Sequence, residues 1–276
     1  MVAGADVVVL DLEDAVAPSE KDAARHLVCE ALRSLPWEGQ EVAVRINSPS
    51  TSEGALDTAA VVPAGARLLR VPKVDLPEQL SDLDRILGEV EAGNRIEPGA
   101  VHVLVSVESA RGLLSAGEIA FAGRRIYGLS IGGEDLTADF GAARSREGDE
   151  LAYARTAVVC AARAAGIQAI DTVFSHIDDD EGLFNDARRA ARLGFDGKSV
   201  VSPRQIPTVR RAFCPDPEEV AQAHRVVTAA ERALRAGQGV VSVGGRMVDA
   251  PVIKRAERVL ALAHLAYGGS RYDWEA

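Results

Sequence analysis

The chain has 276 residues, 47% of them hydrophobic and 26% charged, with 25 Gly and 12 Pro, a composition that excludes a disordered or fibrous chain. Its formal net charge is −10 at pH 7, with Arg and Lys scattered among acids. That argues against nucleic acid, whose phosphates need a clustered basic surface.

Cys29, Cys160 and Cys214 are far apart and form no CxxC pair. They read as reduced thiols of a cytoplasmic protein, with neither a disulfide framework nor a zinc site expected. The apolar opening residues lack a basic n-region and are followed at once by acids, unlike a signal peptide. No apolar run approaches the roughly 18–20 residues that cross a bilayer.

Short runs rich in Val, Ile and Leu alternate with amphipathic stretches along most of the chain. Strands are expected at residues 6–12, 41–46, 68–71, 101–107, 126–131, 168–173 and 198–201. Their lack of strict apolar–polar alternation suits parallel strands covered on both faces. Helical patterns lie between them at 19–35, 78–90, 109–122, 151–165 and 180–193. In the first of these, Ala23, Leu27, Ala31 and Leu35 share one face. Pro18 and Ser19 before acids are helix-start chemistry, and Gly166 and Gly194 follow helices as left-handed terminators.

Seven strand–helix units are visible in the sequence, whereas a closed (β/α)₈ barrel has about eight. A doubly wound sheet normally carries a Gly-rich turn after its first strand, and Asp11-Leu12-Glu13-Asp14 stands there instead. The expectation is an α/β protein, a TIM (β/α)₈-type barrel with its first β/α unit missing. A helix at 216–236, a hairpin at 240–248 and a helix at 251–266 would form a C-terminal helix–hairpin–helix appendage. The barrel domain is assigned to residues 1–214 and the appendage to 215–276.

In such a barrel, chemistry collects at the C-terminal ends of the strands. Those positions carry Asp11, Glu13 and Asp14, then Arg45 and Asn47, Lys73, Glu108, Glu134 and Asp135, Asp171, and Ser202. A lone carboxylate after a strand most often caps a helix or faces solvent. Agreement among several strands instead describes a site, and carboxylates gathered there without a cation would be driven to protonate. A hard cation held by two carboxylates, waters and a chelating substrate relieves that conflict in the manner usual for Mg²⁺. The five histidines form no HExxH-type pair, so zinc is not expected.

The segments ADVVVLDLEDAV, VRIN, VPKV, VSVESARG, GGEDLTADFGA, GFDGKSVVSPRQI and GGRMVDAPV occur in that order between residues 5 and 266. They resemble the citrate lyase beta-subunit-like and malyl-CoA lyase proteins of the HpcH/HpaI aldolase family. The resemblance implies a Mg²⁺-dependent carbon–carbon lyase on a TIM barrel, assembled as a homotrimer or a hexamer. It implies cleavage or formation of a β-hydroxyacyl-CoA, such as malyl-, citramalyl- or citryl-CoA, with acetyl- or acyl-CoA and a 2-oxo acid such as oxaloacetate as products. No nucleic acid or membrane partner is expected.

By the same resemblance, Glu108 of VSVESARG and Asp135 of GGEDL ligate the metal, and Arg45 of VRIN contacts the substrate's carbonyl or carboxylate. Glu13 and Asp14 order metal-bound waters and substrate, and Asp249 lies over the active site of a neighbouring subunit. These roles suit the chemistry. A fixed guanidinium neutralises a developing oxyanion, and a placed carboxylate exchanging a methyl proton is worth about 10²–10⁴-fold.

The chain departs from the family pattern twice. It opens where the first unit's helix would end, and it reads Val201-Ser202-Pro203 where relatives commonly show His-Pro. Ser202 can hydrogen-bond but cannot act as an imidazole acid or base. Three other readings fit the same residues: a non-catalytic Mg²⁺/dicarboxylate-binding paralogue, a subunit of a citrate lyase-like complex acting beside an acyl-carrier partner, and a class II aldolase of free 2-oxo acids.

Overall fold

A computed structural model describes residues 4–37, 39–235, 241–244 and 246–267. Seven strands form one parallel sheet in chain order. They are β1 (Val7–Asp11), β2 (Glu41–Arg45), β3 (Leu68–Val71), β4 (His102–Val107), β5 (Ile126–Ile131), β6 (Gln168–Asp171) and β7 (Gly197–Lys198). Each pairs with its sequence neighbours, and the connections carry α1 (Lys21–Ser34), α2 (Ser52–Ala64), α3 (Pro77–Gly93), α4 (Ala110–Leu114), α5 (Ala116–Ala120), α6 (Gly133–Phe140), α7 (Ala152–Ala165) and α8 (Asp180–Leu193). The result is a curled, parallel α/β sheet of the TIM-barrel type.

The strands lie where the apolar runs are, trimmed by a residue or two, except that the last shrinks to Gly197–Lys198. The expected helix at 109–122 breaks at Ser115 into α4 and α5. Helix α2 escaped the pattern search because it is apolar nearly all round, burying Val61, Val62 and Ala64 and carrying Pro63 in its last turn. Gly166 and Gly194 end α7 and α8 with positive φ, as their positions suggested.

Outer-face side chains of the sheet, among them Val44, Leu69, Val105 and Leu129, are fully buried with Val61, Leu87, Ile119 and Val158 of the helices. The inner face changes character along the strands. Ala43, Leu68 and Leu104, with Ile170, pack into a small apolar layer. Two residues further toward the C-terminal ends of β2, β3 and β4, the same face carries Arg45, Arg70 and Ser106. The apolar layer thus separates Glu41, His102 and Gln168 at the start of the strands from Arg45, Arg70 and Ser106 at the end where the connecting loops toward the helices begin.

Contacts divide the chain between Val209 and Arg210. Helix α9 (Ile206–Phe213) spans that point, and the second unit holds α10 (Pro217–Arg235), the antiparallel strands β8 (Val241–Val243) and β9 (Arg246–Val248), and α11 (Ala250–Tyr267). It has its own core of Ala223, Val226, Val248 and Ala256, with Val252, Ile253 and Leu260 packed against it. Ala236, Val240 and Gly245, at the edges of the expected helix and hairpin, lie outside the described residues. No helix among the described residues is long and apolar enough to cross a membrane.

Candidate active site

Strands β1 and β2 pair with Asp11 directly opposite Arg45. Arg45 donates Nε to Asp11 Oδ1 at 2.7 Å and Nη2 to Oδ2 at 2.5 Å, a fork matched to the carboxylate. Its Nη1 lies 3.0 Å from Glu13 Oε2. These hydrogen bonds, led by Asp11, raise the Arg45 pKa against the opposing effect of burial. Burial pushes Asp11 up, but the Arg45 hydrogen bond and charge, with the Glu13 amide, leave it below the ordinary value.

Glu13 is 3% exposed. Lys73 Nζ stands 2.9 Å from its Oε1 and 3.3 Å from Asp14 Oδ1. The first contact is an ion pair without hydrogen-bond alignment, so Glu13 Oε1 is buried and makes no hydrogen bond. Asp14 is exposed at the rim. The close contact with the Glu13 carboxylate, and then that with Asp14, raises the lysine pKa against burial.

Glu108 follows β4 and is buried. Lys73 reaches it from a left-handed backbone, φ 57°, and donates its N–H to Glu108 Oε1 at 2.6 Å. Gly132, after β5, closes on the same side chain. A Cβ there would stand 2.5 Å from Glu108 Cβ and 2.6 Å from Oε2. Burial raises the Glu108 pKa to about 7. The Lys73 amide and Arg70 oppose the shift, while the negative charges of Asp135 and Glu13 add to it.

Asp135 lies in the first turn of α6 and is exposed. The start of that helix is fixed by the Gly133 N–H, which donates to Thr172 Oγ1 at 3.0 Å. A Cβ on Gly133 would stand 2.6 Å from that hydroxyl, so only glycine lets the turn approach β6 this closely. Glu134 points elsewhere, its Oε1 accepting from Ser175 Oγ at 2.7 Å and Arg144 Nε at 3.2 Å.

The donor set suits a hard divalent cation. Glu108 is kept near half-protonation at neutral pH by burial and by a neighbouring carboxylate, a conflict that a cation between the two would remove. The described residues contain no group of three or more His, Cys, Asp or Glu arranged to hold a metal. Glu108 and Asp135 would therefore leave most of an ion's positions to water and substrate, the usual arrangement for Mg²⁺ and unlike a structural zinc cage.

Three other strand-end residues have different surroundings. Asp171, read from the sequence as part of the rim, is instead fully buried in an ion network. It accepts from Arg155 at 2.9 and 3.0 Å and from Lys198 at 2.7 Å, while Asp186 joins Arg155 at 2.7 Å and Lys198 at 2.6 Å. Ser202 caps the turn at Pro203–Gln205, accepting from the Arg204 N–H at 3.3 Å. Asp249, in the second unit, accepts from the Val252 N–H at 3.2 Å at the start of α11. Arg70, inside β3, was missed by a search of the positions after each strand.

Glu13, Asp14, Arg45, Lys73, Glu108 and Asp135 thus share one end of a parallel α/β barrel-type sheet, the end at which enzymes of this architecture carry their active sites. A family model described as HpcH/HpaI aldolase/citrate lyase matches residues 1–203. The chain belongs to the HpcH/HpaI aldolase/citrate lyase family.

It is 42% identical over 261 residues to the citrate lyase subunit beta of Leuconostoc mesenteroides subsp. cremoris, covering 95% of this chain and 86% of that protein. It is 34% identical over 271 residues to the mitochondrial citramalyl-CoA lyase of Rattus norvegicus, covering 94% and 79%. Among solved structures, the CitE protein of Mycobacterium tuberculosis in complex with magnesium, acetoacetate and coenzyme A matches with a TM-score of 0.77 at 37% identity, over 94% of this chain and 90% of that one.

Proposed function

We propose that the chain is a Mg²⁺-dependent carbon–carbon lyase that cleaves, or in reverse forms, a β-hydroxyacyl-CoA such as citryl-, citramalyl- or malyl-CoA, giving acetyl- or acyl-CoA and a 2-oxo acid. This reading is supported by the placement of Glu108 after β4 and Asp135 after the neighbouring β5, where the charge of Asp135 acts on Glu108, with Arg45 at the same end of β2. The relatives supply the substrate class, since they are named as citrate and citramalyl-CoA lyases.

Glu108 and Asp135 would hold the ion, which when bound supplies Lewis-acid polarisation of the substrate's hydroxyl and carboxylate oxygens. Arg45, kept charged and oriented by Asp11, presents a fixed positive charge to oxygen atoms that gain negative charge as the carbon–carbon bond breaks. Glu13, buried with a hydrogen-bond-free oxygen, and Asp14 at the rim order water and substrate around that charge. Asp249 from a neighbouring copy exchanges the proton at the acetyl methyl, in a homotrimer or hexamer. The protein is placed in the cytoplasm.

The resemblance to a protein named as a subunit supports a second form of the same reading, in which the chain works beside an acyl-carrier partner. Purified protein mixed with Mg²⁺ and each thioester separates the two. Release of acetyl-CoA and a 2-oxo acid supports the free-standing lyase. Turnover only after an acylated carrier protein is supplied supports the subunit, and no turnover in either case contradicts both.

A further inference from the structure

Arg70 of β3 pairs in register with Arg45 of β2, which sets both on the inner face of the sheet. The two guanidiniums have unlike partners. Arg45 is forked onto Asp11 and also touches Glu13. Arg70 makes a hydrogen bond from Nε to Ser106 Oγ at 3.1 Å, and no carboxylate among the described residues pairs with it. Ser106 Oγ lies 3.2 Å from Ser130 Oγ, which lies 3.3 Å from the Val105 carbonyl oxygen. Both serines are buried. This hydroxyl chain sets the plane of the guanidinium without neutralising it.

The charge is costly where it stands. Burial and the adjacent Arg45 pull the Arg70 pKa down, with Glu108, Asp11 and Glu13 opposing only through longer-range attraction. Arginine does not discharge in proteins, so this half-buried guanidinium, with no ion pair among the described residues, is stabilised by gaining an anion. Its terminal N–H groups form a fork suited to a carboxylate. The apolar layer of Ala43, Leu68 and Leu104 precedes it on the same face, and acids stand around it, so the site suits a small anion better than a phosphate.

We infer that Arg70 is a substrate-binding residue whose guanidinium takes a carboxylate of the 2-oxo acid, while Arg45 is largely committed to Asp11 and Glu13. The assignment rests on the lyase reading above. It divides the labour between the paired arginines, Arg70 taking the carboxylate and Arg45, oriented by Asp11, facing the oxygen that gains charge.

Calorimetric titration of the full chain tests it, using oxaloacetate and pyruvate at saturating Mg²⁺ and, separately, Mg²⁺ alone. Arg70→Met should keep the Mg²⁺ affinity within a few-fold and weaken oxaloacetate by at least about 30-fold, as expected on removing one partner of a desolvated charge pair. Arg70→Lys should recover part of the loss. A loss confined to oxaloacetate assigns the second carboxylate, and a loss shared with pyruvate assigns the one beside the ketone; either supports the inference. Wild-type affinity for oxaloacetate in Arg70→Met overturns it, as does an equal loss of Mg²⁺ binding without the oxo acid, which would make Arg70 a support of the carboxylate pair. Failure of the wild-type protein to bind any 2-oxo acid with Mg²⁺ removes the lyase reading itself.

Discussion

Lys73 holds Glu108 through its backbone and Glu13 through its side chain, with the N–H 2.6 Å from Glu108 Oε1 and Nζ 2.9 Å from Glu13 Oε1. The left-handed backbone at φ 57° makes the first contact possible, at a cost of about 1–2 kcal/mol for a residue with a Cβ. The two functions separate by substitution. Lys73→Gly keeps the amide in place and removes the ammonium, so Mg²⁺ affinity should change by less than about threefold. Lys73→Val resists a left-handed conformation and should weaken Mg²⁺ by about tenfold or more. Equal affinities in the two variants, measured by titration calorimetry, would refute the backbone role.

Gly132 offers a steric test of the same carboxylate. Its missing Cβ would stand 2.5 Å from Glu108 Cβ, so Gly132→Ala must displace one of the two. Overpacking of this kind costs about 1–3 kcal/mol. The variant should melt lower and bind Mg²⁺ at least about tenfold more weakly. Unchanged binding would mean that the Glu108 carboxylate is not held where the ion sits.

Glu108 also sets a pH dependence. Its folded pKa, about 7, lies above the ordinary 4.5, so between those values the folded state holds a proton that the unfolded state has lost. Stability without metal therefore falls as pH rises through this window, by an amount on the order of 3 kcal/mol. In chelator at pH 8, Glu108→Gln should melt above wild type, with the gap closing towards pH 5. Mg²⁺ should reverse the order by binding wild type alone, and its affinity should rise with pH up to about 7 and then level off. A Glu108→Gln variant that melts no higher than wild type in chelator at pH 8 contradicts the shift.

The strand count, the order of the units and the polar mouth were legible in the sequence because buried parallel strands leave continuous apolar runs. The sorting of strand-end acids was not. Asp11, Glu13 and Asp171 look alike along the chain, and their difference lies in which cation faces each across the fold. Asp11 meets Arg45 in register on the next strand, whereas Asp171 meets Arg155 from α7 and Lys198 from β7. Arg70 carried a readable signal, a charge within the apolar run Leu68-Leu69-Arg70-Val71, but a search confined to positions after the strands passes over it. Helix α2 was hidden by the opposite fault, an apolar surface with no polar stripe to mark its period.

The buried network around Asp171 should behave as structure and not as chemistry. Asp171→Asn or Lys198→Met leaves an uncompensated buried charge, a change that costs about 3–5 kcal/mol and lowers the melting temperature by roughly 10 °C for a unit of this size. Below that temperature Mg²⁺ binding should persist. A variant that melts like wild type yet no longer binds Mg²⁺ would return Asp171 to the site.

The lyase reading turns on Glu108 and Asp135 holding one divalent ion between them. Titration of Mg²⁺ into wild type, Glu108→Ala and Asp135→Ala, with circular dichroism checking the fold of each, measures this directly. Wild type should show one saturable site, weakened by about a hundredfold or more in both variants while their spectra stay unchanged. Wild-type Mg²⁺ affinity in either folded variant would contradict it.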